Sequence, residues 1–210
     1  MSRPGTDSQK ISKLSWFRNW VTERLGDDRH ERRVAGIAAS LVDLTFPLHD
    51  LSIADRRLLR LAALVHDVGR CISKKNHPSA GARMIRRGAD LPLKKRQRRA
   101  LAYLTLRHRD DVPDAQDDPA LRRVEDVPRL QMLLAFLRAA DALDSRSHPS
   151  PRLTFTRRGR RIRILCRLRE DSAEARRIFS RRKKFRLLED LLDCRIEVAI
   201  LSNRRLRAVA

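Results

Sequence analysis

From Leu58 to Val65 the chain is apolar almost all round. The run then stops at an adjacent His66 and Asp67, with Gly69 two residues further on. A helix that is hydrophobic on every side is a central, buried one. The end of such a helix is a costly place for an unpaired imidazole and an unpaired carboxylate. Any fold this chain adopts must therefore wrap its other helices around residues 58–65 and find partners for His66 and Asp67. Two adjacent metal-ligand side chains at one helix end read as half of a metal site. Gly69 is expected to make the turn that follows.

The neighbouring segments supply such helices. Ile11, Leu14, Phe17, Val21 and Leu25 recur at helical spacing and predict an amphipathic helix docked on the body. Gly26-Asp27-Asp28 closes it, with Asp27 or Asp28 as the next N-cap. The second helix is expected to reach about Leu44, with His30 on the same stripe as Val34, Ile37 and Leu41. Pro47 ends it. His77-Pro78-Ser79 opens a helix with Pro at its first positions. A basic helix spans about Lys94 to His108, with Leu101, Leu104 and His108 on one face. Arg109 to Pro119 is an acidic, Pro-containing loop, a natural lid or rim. Leu130, Leu133, Leu134 and Leu137 mark another helix, and Asp141 falls on its stripe.

After residue 150 the period changes. Leu153 to Leu168 alternates around an Arg-Gly turn and predicts a β-hairpin. Ile162, Ile164, Cys166 and Leu168 face inward, and Arg161, Arg163, Arg167 and Arg169 outward. A helix from about Ala173 to Leu192 and a last strand through Ile196, Val198 and Ile200 follow. The expected class is mainly α, a helical bundle followed by a small ββαβ subdomain. The expected units are a tail and amphipathic helix over 1–27, a helical domain over 28–150, and a basic subdomain over 151–210.

Charge narrows the partners. The 210 residues include 48 Lys and Arg against 26 Asp and Glu, a net +22, and only eight of the basic residues are Lys. Arg contacts phosphate in a bidentate manner and stays charged everywhere. A phosphate-rich partner is the first expectation: nucleic acid, polyphosphate or nucleotide. An Arg-rich coding bias spread over a solvated surface would give the same total. Residues 152–210 alone hold 19 basic and 7 acidic residues, a net +12. Cys71, Cys166 and Cys194 lie far apart with no paired spacing, which fits a reduced, cytoplasmic protein. No segment approaches ~18 uninterrupted apolar residues, so no membrane span is expected, and the N-terminus has no apolar stretch of a secretory signal.

His30, His66, Asp67, His108 and Asp141 share one anomaly. Each is a polar residue on, or at the end of, the apolar face of a predicted helix. One such His is usually a satisfied core histidine, and one such Asp a cap. Recurrence on four helices whose apolar faces converge points to a shared cation, because a divalent ion removes the cost of burying the donors. Imidazole with carboxylate suits Mn, Fe, Zn, Ni or Mg. His49-Asp50 is also a His-Asp pair, but it follows Pro47 and ends no buried helix, so it reads as surface. His148, between Ser and Pro, reads as loop.

These residues resemble the HD superfamily of metal-dependent phosphohydrolases. The resemblance is carried by His30 in His-Glu-Arg-Arg-Val-Ala, His66-Asp67 in Leu-Val-His-Asp-Val-Gly, and Asp141 in Leu-Arg-Ala-Ala-Asp-Ala-Leu-Asp. They match the superfamily's mononuclear set. His77 and His108 match the extra ligands of members that bind a second metal. The tail narrows the likeness: residues 28–201 resemble the C-terminal half of the exopolyphosphatase and guanosine pentaphosphate phosphohydrolase family. In that family catalysis is assigned to a preceding pair of actin-like domains, for which this chain has no room, so that activity does not carry over directly.

The resemblance implies an HD-type bundle holding one or two divalent ions (Mn, Mg, Fe, Ni, Co or Zn). Catalysis would run through Asp67 and attack of metal-bound hydroxide on phosphorus. Lys74, Lys75, Arg109 and Arg138, near the ligands in sequence, are expected to neutralise substrate phosphate. Asp144, one turn after Asp141, is expected to orient a ligand from behind. The alternative is a non-catalytic module whose basic tail, the outward Arg row with Arg181 to Lys184, grips polyphosphate or nucleic acid, and which keeps a structural metal site. The exposed edge of the tail's sheet would also suit a homodimer.

Overall fold

The computed structural model describes residues 12–109, 118–121 and 126–201. Over them the protein is mainly helical, with one small sheet at its C-terminal end. The helices of the first part are α1 (Lys13–Leu25), α2 (Arg29–Thr45), α3 (Ile53–Val65), α4 (His77–Arg87), α5 (Lys95–Arg107) and α6 (Val127–Asp141). The C-terminal part runs β1 (Arg152–Arg158), β2 (Arg161–Arg167), α7 (Ala173–Phe179), α8 (Lys183–Leu192) and β3 (Arg195–Leu201). Ile11 and most of the acidic 109–119 loop lie outside the described residues.

The apolar run of 58–65 is the buried axis its composition demands. Leu59 and Leu61 to Val65 are all buried, and α1, α2, α5 and α6 pack around α3. A capping box starts the helix: the Ser52 hydroxyl accepts from the Asp55 N–H, and the Asp55 carboxylate accepts from the Ser52 N–H at 2.8 Å. α1 docks through Phe17, Trp20 and Val21. Asp28 occupies the cap position of α2, but its side chain makes no cap bond. Its carboxylate instead accepts from Arg18 and Arg32, both at 2.9 Å, and so joins α1 to α2.

The hairpin forms as its alternation predicts. Leu153 pairs with Cys166 and Phe155 with Ile164, antiparallel, and Ile162, Ile164 and Cys166 are fully buried. β3 adds parallel to β2, setting Ile162 beside Ile196. Parallel neighbours need a crossover, and here the expected single helix over 173–192 is two. A continuous helix would place Arg182 on the stripe between Ile178 and Phe185. The chain breaks there, and Arg182 grips the Glu189 carboxylate at 2.9 and 3.0 Å. α7 then packs on Cys166 and Leu168, while Phe185, Leu188 and Leu192 of α8 join the main core against α6. That core extends without interruption from Phe17 to Ile196. No helix among the described residues is long and apolar enough to cross a membrane.

Candidate metal centre

The donors gather because every one of them sits at or near a helix end. His66 caps α3, His108 caps α5, and His77 opens α4. His30 lies in the first turn of α2, Asp141 closes α6, and Asp67 and Asp144 lie two and three residues past the ends of α3 and α6. Apolar stripes that converge in the core bring these termini to one point. His30, His66, Asp67, His77, His108 and Asp144 are all buried.

Gly69 contributes differently from the sequence expectation. It lies in a 3-10 turn over Val68–Cys71, and its backbone is not left-handed, so turn-making does not require a glycine. Close packing does. A Cβ at Gly69 would lie 2.1 Å from the His77 carbonyl oxygen and 2.3 Å from the Gly81 nitrogen. The missing side chain lets the first turn of α4 close on Asp67, and His77 comes with it.

The ring nitrogens are set by local bonds. The Nδ1 atoms of His66, His77 and His108 each donate to the carbonyl three residues back: Ala63 at 2.8 Å, Lys74 at 3.0 Å and Thr105 at 2.7 Å. His30 Nδ1 lies 2.8 Å from the Asp144 carboxylate. A carbonyl only accepts, so Nδ1 carries a proton, and in the neutral ring Nε2 presents its lone pair to the centre. There Asp67 Oδ1 lies 3.0 Å from His77 Nε2, 3.5 Å from His108 Nε2 and 3.8 Å from His66 Nε2. Asp141 Oδ1 lies 3.5 Å from His66 Nε2 and 3.6 Å from His30 Nε2.

These separations suit a shared cation. Donors about 2.0–2.2 Å from one ion stand roughly 3.0–3.5 Å apart at octahedral to tetrahedral angles. Two overlapping triads approach that spacing: His30, His66 and Asp141, and His66, Asp67 and His108, with all donor atoms of each within 4.8 Å of one another. His66 Nε2 is fully buried and has no hydrogen-bond partner among the described residues, the orphaned ligand atom an ion would satisfy.

The field points the same way. Burial pulls the His66 pKa down, but the negative charges of Asp67 and Asp141, 3.8 and 3.5 Å away, outweigh it and raise it to about 9. Burial works against ionisation of Asp67 and Asp141 too, yet the facing imidazoles hold both carboxyls well below the usual range. Burial keeps the His108 pKa low, so that ring stays a neutral donor. The centre is a place where positive charge is stabilised.

A cavity of about 290 Å³ opens onto His30, Asp67, His77, His108, Asp141 and Asp144, and Arg70, Arg109, Arg146, Arg181 and Lys184 also line it. Arg146 donates to Asp67 Oδ2 at 2.9 Å and also bonds the fully buried Glu31. Lys184 reaches in from α8, 3.0 Å from the His108 carbonyl and 3.4 Å from Asp141 Oδ2.

All six sequence-predicted donors thus meet, with Asp144 behind His30. Of the expected phosphate-binding residues, Arg109 lines the cavity. Lys74 and Lys75 are exposed, and Lys74 enters the site only through its carbonyl. Arg138 is buried and donates to the Arg107 carbonyl at 2.8 Å. Arg181 and Lys184 belong to a basic run, Arg181-Arg182-Lys183-Lys184, that the sequence marks for polyanions without tying it to this cavity, and Arg70 and Arg146 carried no signal among 48 basic residues. His49 stays apart from the centre; it is half-buried, with Nε2 3.1 Å from the Val42 carbonyl and its ring edge-on to Phe136.

A family model described as Ppx/GppA phosphatase, domain III, matches residues 25–178, more than half of the chain. The matched stretch takes in all six donors. No curated protein matches.

Proposed function

The chain belongs to the Ppx/GppA phosphatase domain III family, and on that footing we propose that it is a divalent-metal-dependent phosphohydrolase of HD type. Its substrate is phosphate-rich: polyphosphate, an alarmone or a nucleotide. One observation carries the reading. His77 Nε2 and His108 Nε2 face each other at 3.3 Å with both Nδ1 protons already engaged, which leaves two lone pairs and Asp67 Oδ1 around one point.

His30, His66, Asp67 and Asp141 would hold one ion, and Asp67, His77 and His108 would supply the ligands for a second. Such an ion, when bound, polarises a phosphoryl oxygen and acidifies water. The chain's own residues do the rest. Asp144 fixes the His30 ring through Nδ1. Arg146 and Arg70 hold Asp67 Oδ2, 2.9 and 3.7 Å away, so that Oδ1 keeps its place among the imidazoles. Arg109, Arg181 and Lys184 offer cations to phosphate oxygens at the cavity wall. A cytoplasmic location fits the three free cysteines.

Elemental analysis of the purified protein, with phosphate release from polyphosphate, alarmone and nucleotide in Mn, Mg, Ni and Co, tests this. Wild type is expected to carry metal and release phosphate, and Asp67→Ala to lose both. A wild type that stays metal-free and inactive in all four ions overturns the proposal.

A further inference from the structure

The two faces of the sheet are unlike. The inner face packs Phe155, Ile162, Ile164 and Ile196 into the core. On the outer face the register sets Arg152 beside Arg167, and Arg158 beside Arg161, and carries the second row on to Arg195. Arg163 stands between these rows, flanked by Thr156 and Glu197. All six arginines are exposed.

Like charges directly opposite one another destabilise a sheet. Elsewhere several arginines are paired: Arg107 with Asp118, Arg176 with Asp171, Arg18 with Asp28. On the outer face, among the described residues, one carboxylate stands among the arginines: Glu197 lies 3.5 Å from Arg195 and beside Arg163 in the register. The facing pairs Arg152–Arg167 and Arg158–Arg161 have no acidic partner among the described residues, and a polyanion lying across them explains the arrangement.

The geometry narrows the polyanion. Alternate residues of a strand stand about 6.6 Å apart. Phosphodiester phosphates, separated by a whole sugar, match that better than polyphosphate, whose phosphorus atoms share single oxygens. Between the arginines lie Thr154, Thr156, Leu165 and Ala199, with no aromatic ring. Single-strand binders stack bases on aromatic platforms. A duplex keeps its bases stacked and presents its backbone. We propose that the outer face of the sheet binds the phosphate backbone of duplex nucleic acid without reading its sequence. This function uses no residue of the metal centre and stands or falls apart from the hydrolase reading.

Fluorescence anisotropy of the full chain with a labelled mixed-sequence DNA duplex, over a range of salt, tests it. Wild type is expected to bind with a steep salt slope. The triple change Arg161→Gln, Arg163→Gln, Arg167→Gln is expected to weaken low-salt binding at least tenfold and to flatten the log–log slope by roughly 2.7. Arg152→Gln with Arg158→Gln, on the other strand, should flatten it by roughly 1.8, and lysines at the triple site should restore it. Removing the exposed Arg83, Arg86 and Arg87 of α4 takes away the same charge and is expected to change little. The proposal is overturned if the α4 triple matches the sheet triple. It is equally overturned if binding survives the sheet changes at full strength, or if single-stranded DNA or polyphosphate binds as tightly as the duplex.

Discussion

Nε2 of His77 and Nε2 of His108 lie 3.3 Å apart, and the Nδ1–H of each ring already donates to a backbone carbonyl. Two lone pairs at that distance repel. A proton on His108 would relieve them, but burial lowers the pKa of that ring. Asp67 Oδ1, 3.0 Å from one nitrogen and 3.5 Å from the other, adds further negative charge. A divalent cation satisfies all three atoms at once, and the same reasoning extends through Asp67 to His66, Asp141 and His30.

A bound ion stabilises the folded state by mass action, because the unfolded chain has no assembled site. At 100 times the dissociation constant the gain is about 2.7 kcal/mol, or roughly 5–10 °C in Tm for a chain of this size. Thermal melts of chelator-treated protein are expected to rise by that amount on adding Mn, Zn, Ni or Co, and to fall again with chelator. His77→Ala with His108→Ala should remove much of the response. An unchanged Tm in every ion would leave the donor cluster without a ligand.

Asp144 touches the centre only through His30 Nδ1, at 2.8 Å. Groups that orient a ligand from behind are worth roughly 10–100-fold in metal affinity. Asp144→Ala is expected to weaken metal binding within that range by calorimetric titration. Asp144→Asn keeps an oxygen that accepts the same proton and should lose less. Equal losses in the two variants would mean that Asp144 acts by charge, not by holding the ring.

Arg107, the residue before His108, grips Asp118 with two bonds of 2.8 Å. Burial raises the Asp118 pKa, but Arg107 and the Ala120 N–H reverse this and leave it below the usual carboxylate value. A pKa depressed on folding contributes stability that is present above the unfolded value near 3.9 and is lost as pH falls through the folded one. Asp118→Asn is therefore expected to destabilise by about 1–3 kcal/mol at pH 7. Denaturant titration should show the gap to wild type closing as the pH drops below 4. A gap that persists in acid would assign the effect to packing.

What the sequence disclosed depended on pattern. The buried axis at 58–65, the helix stripes and the hairpin alternation are one-dimensional regularities, and each became the element its period implied. The donors were legible for the same reason: His30, His108 and Asp141 break apolar stripes, and a break in a period is visible. The α7–α8 break was hidden because Arg182 fits a helical stripe in spacing and violates it only in chemistry. Arg146 and Lys184 were hidden by abundance. Nothing in one dimension separates the Lys184 that reaches Asp141 from the Lys183 beside it. Their roles depend on where a loop and a crossover helix come to rest.

Two glycines give opposite expectations from the same substitution. At Gly69 a Cβ would meet the His77 oxygen at 2.1 Å and the Gly81 nitrogen at 2.3 Å, and both are backbone atoms of a packed helix. No side-chain rotation relieves that contact, so α4 must move, at a cost of about 1–3 kcal/mol or more. At Gly36, inside α2, nothing lies within 4 Å of a Cβ and the backbone is an ordinary right-handed helix. Ala there reduces the freedom of the unfolded chain and should stabilise by about 0.5–1 kcal/mol. Moving α4 also moves His77, so Gly69→Ala is expected to weaken metal binding as well as to lower Tm. Gly36→Ala should raise Tm and leave metal binding unchanged. Thermal melts with metal titration on both variants separate the two effects. A Gly69→Ala protein with wild-type Tm and metal affinity would show that the contact between the 3-10 turn and α4 does not position His77.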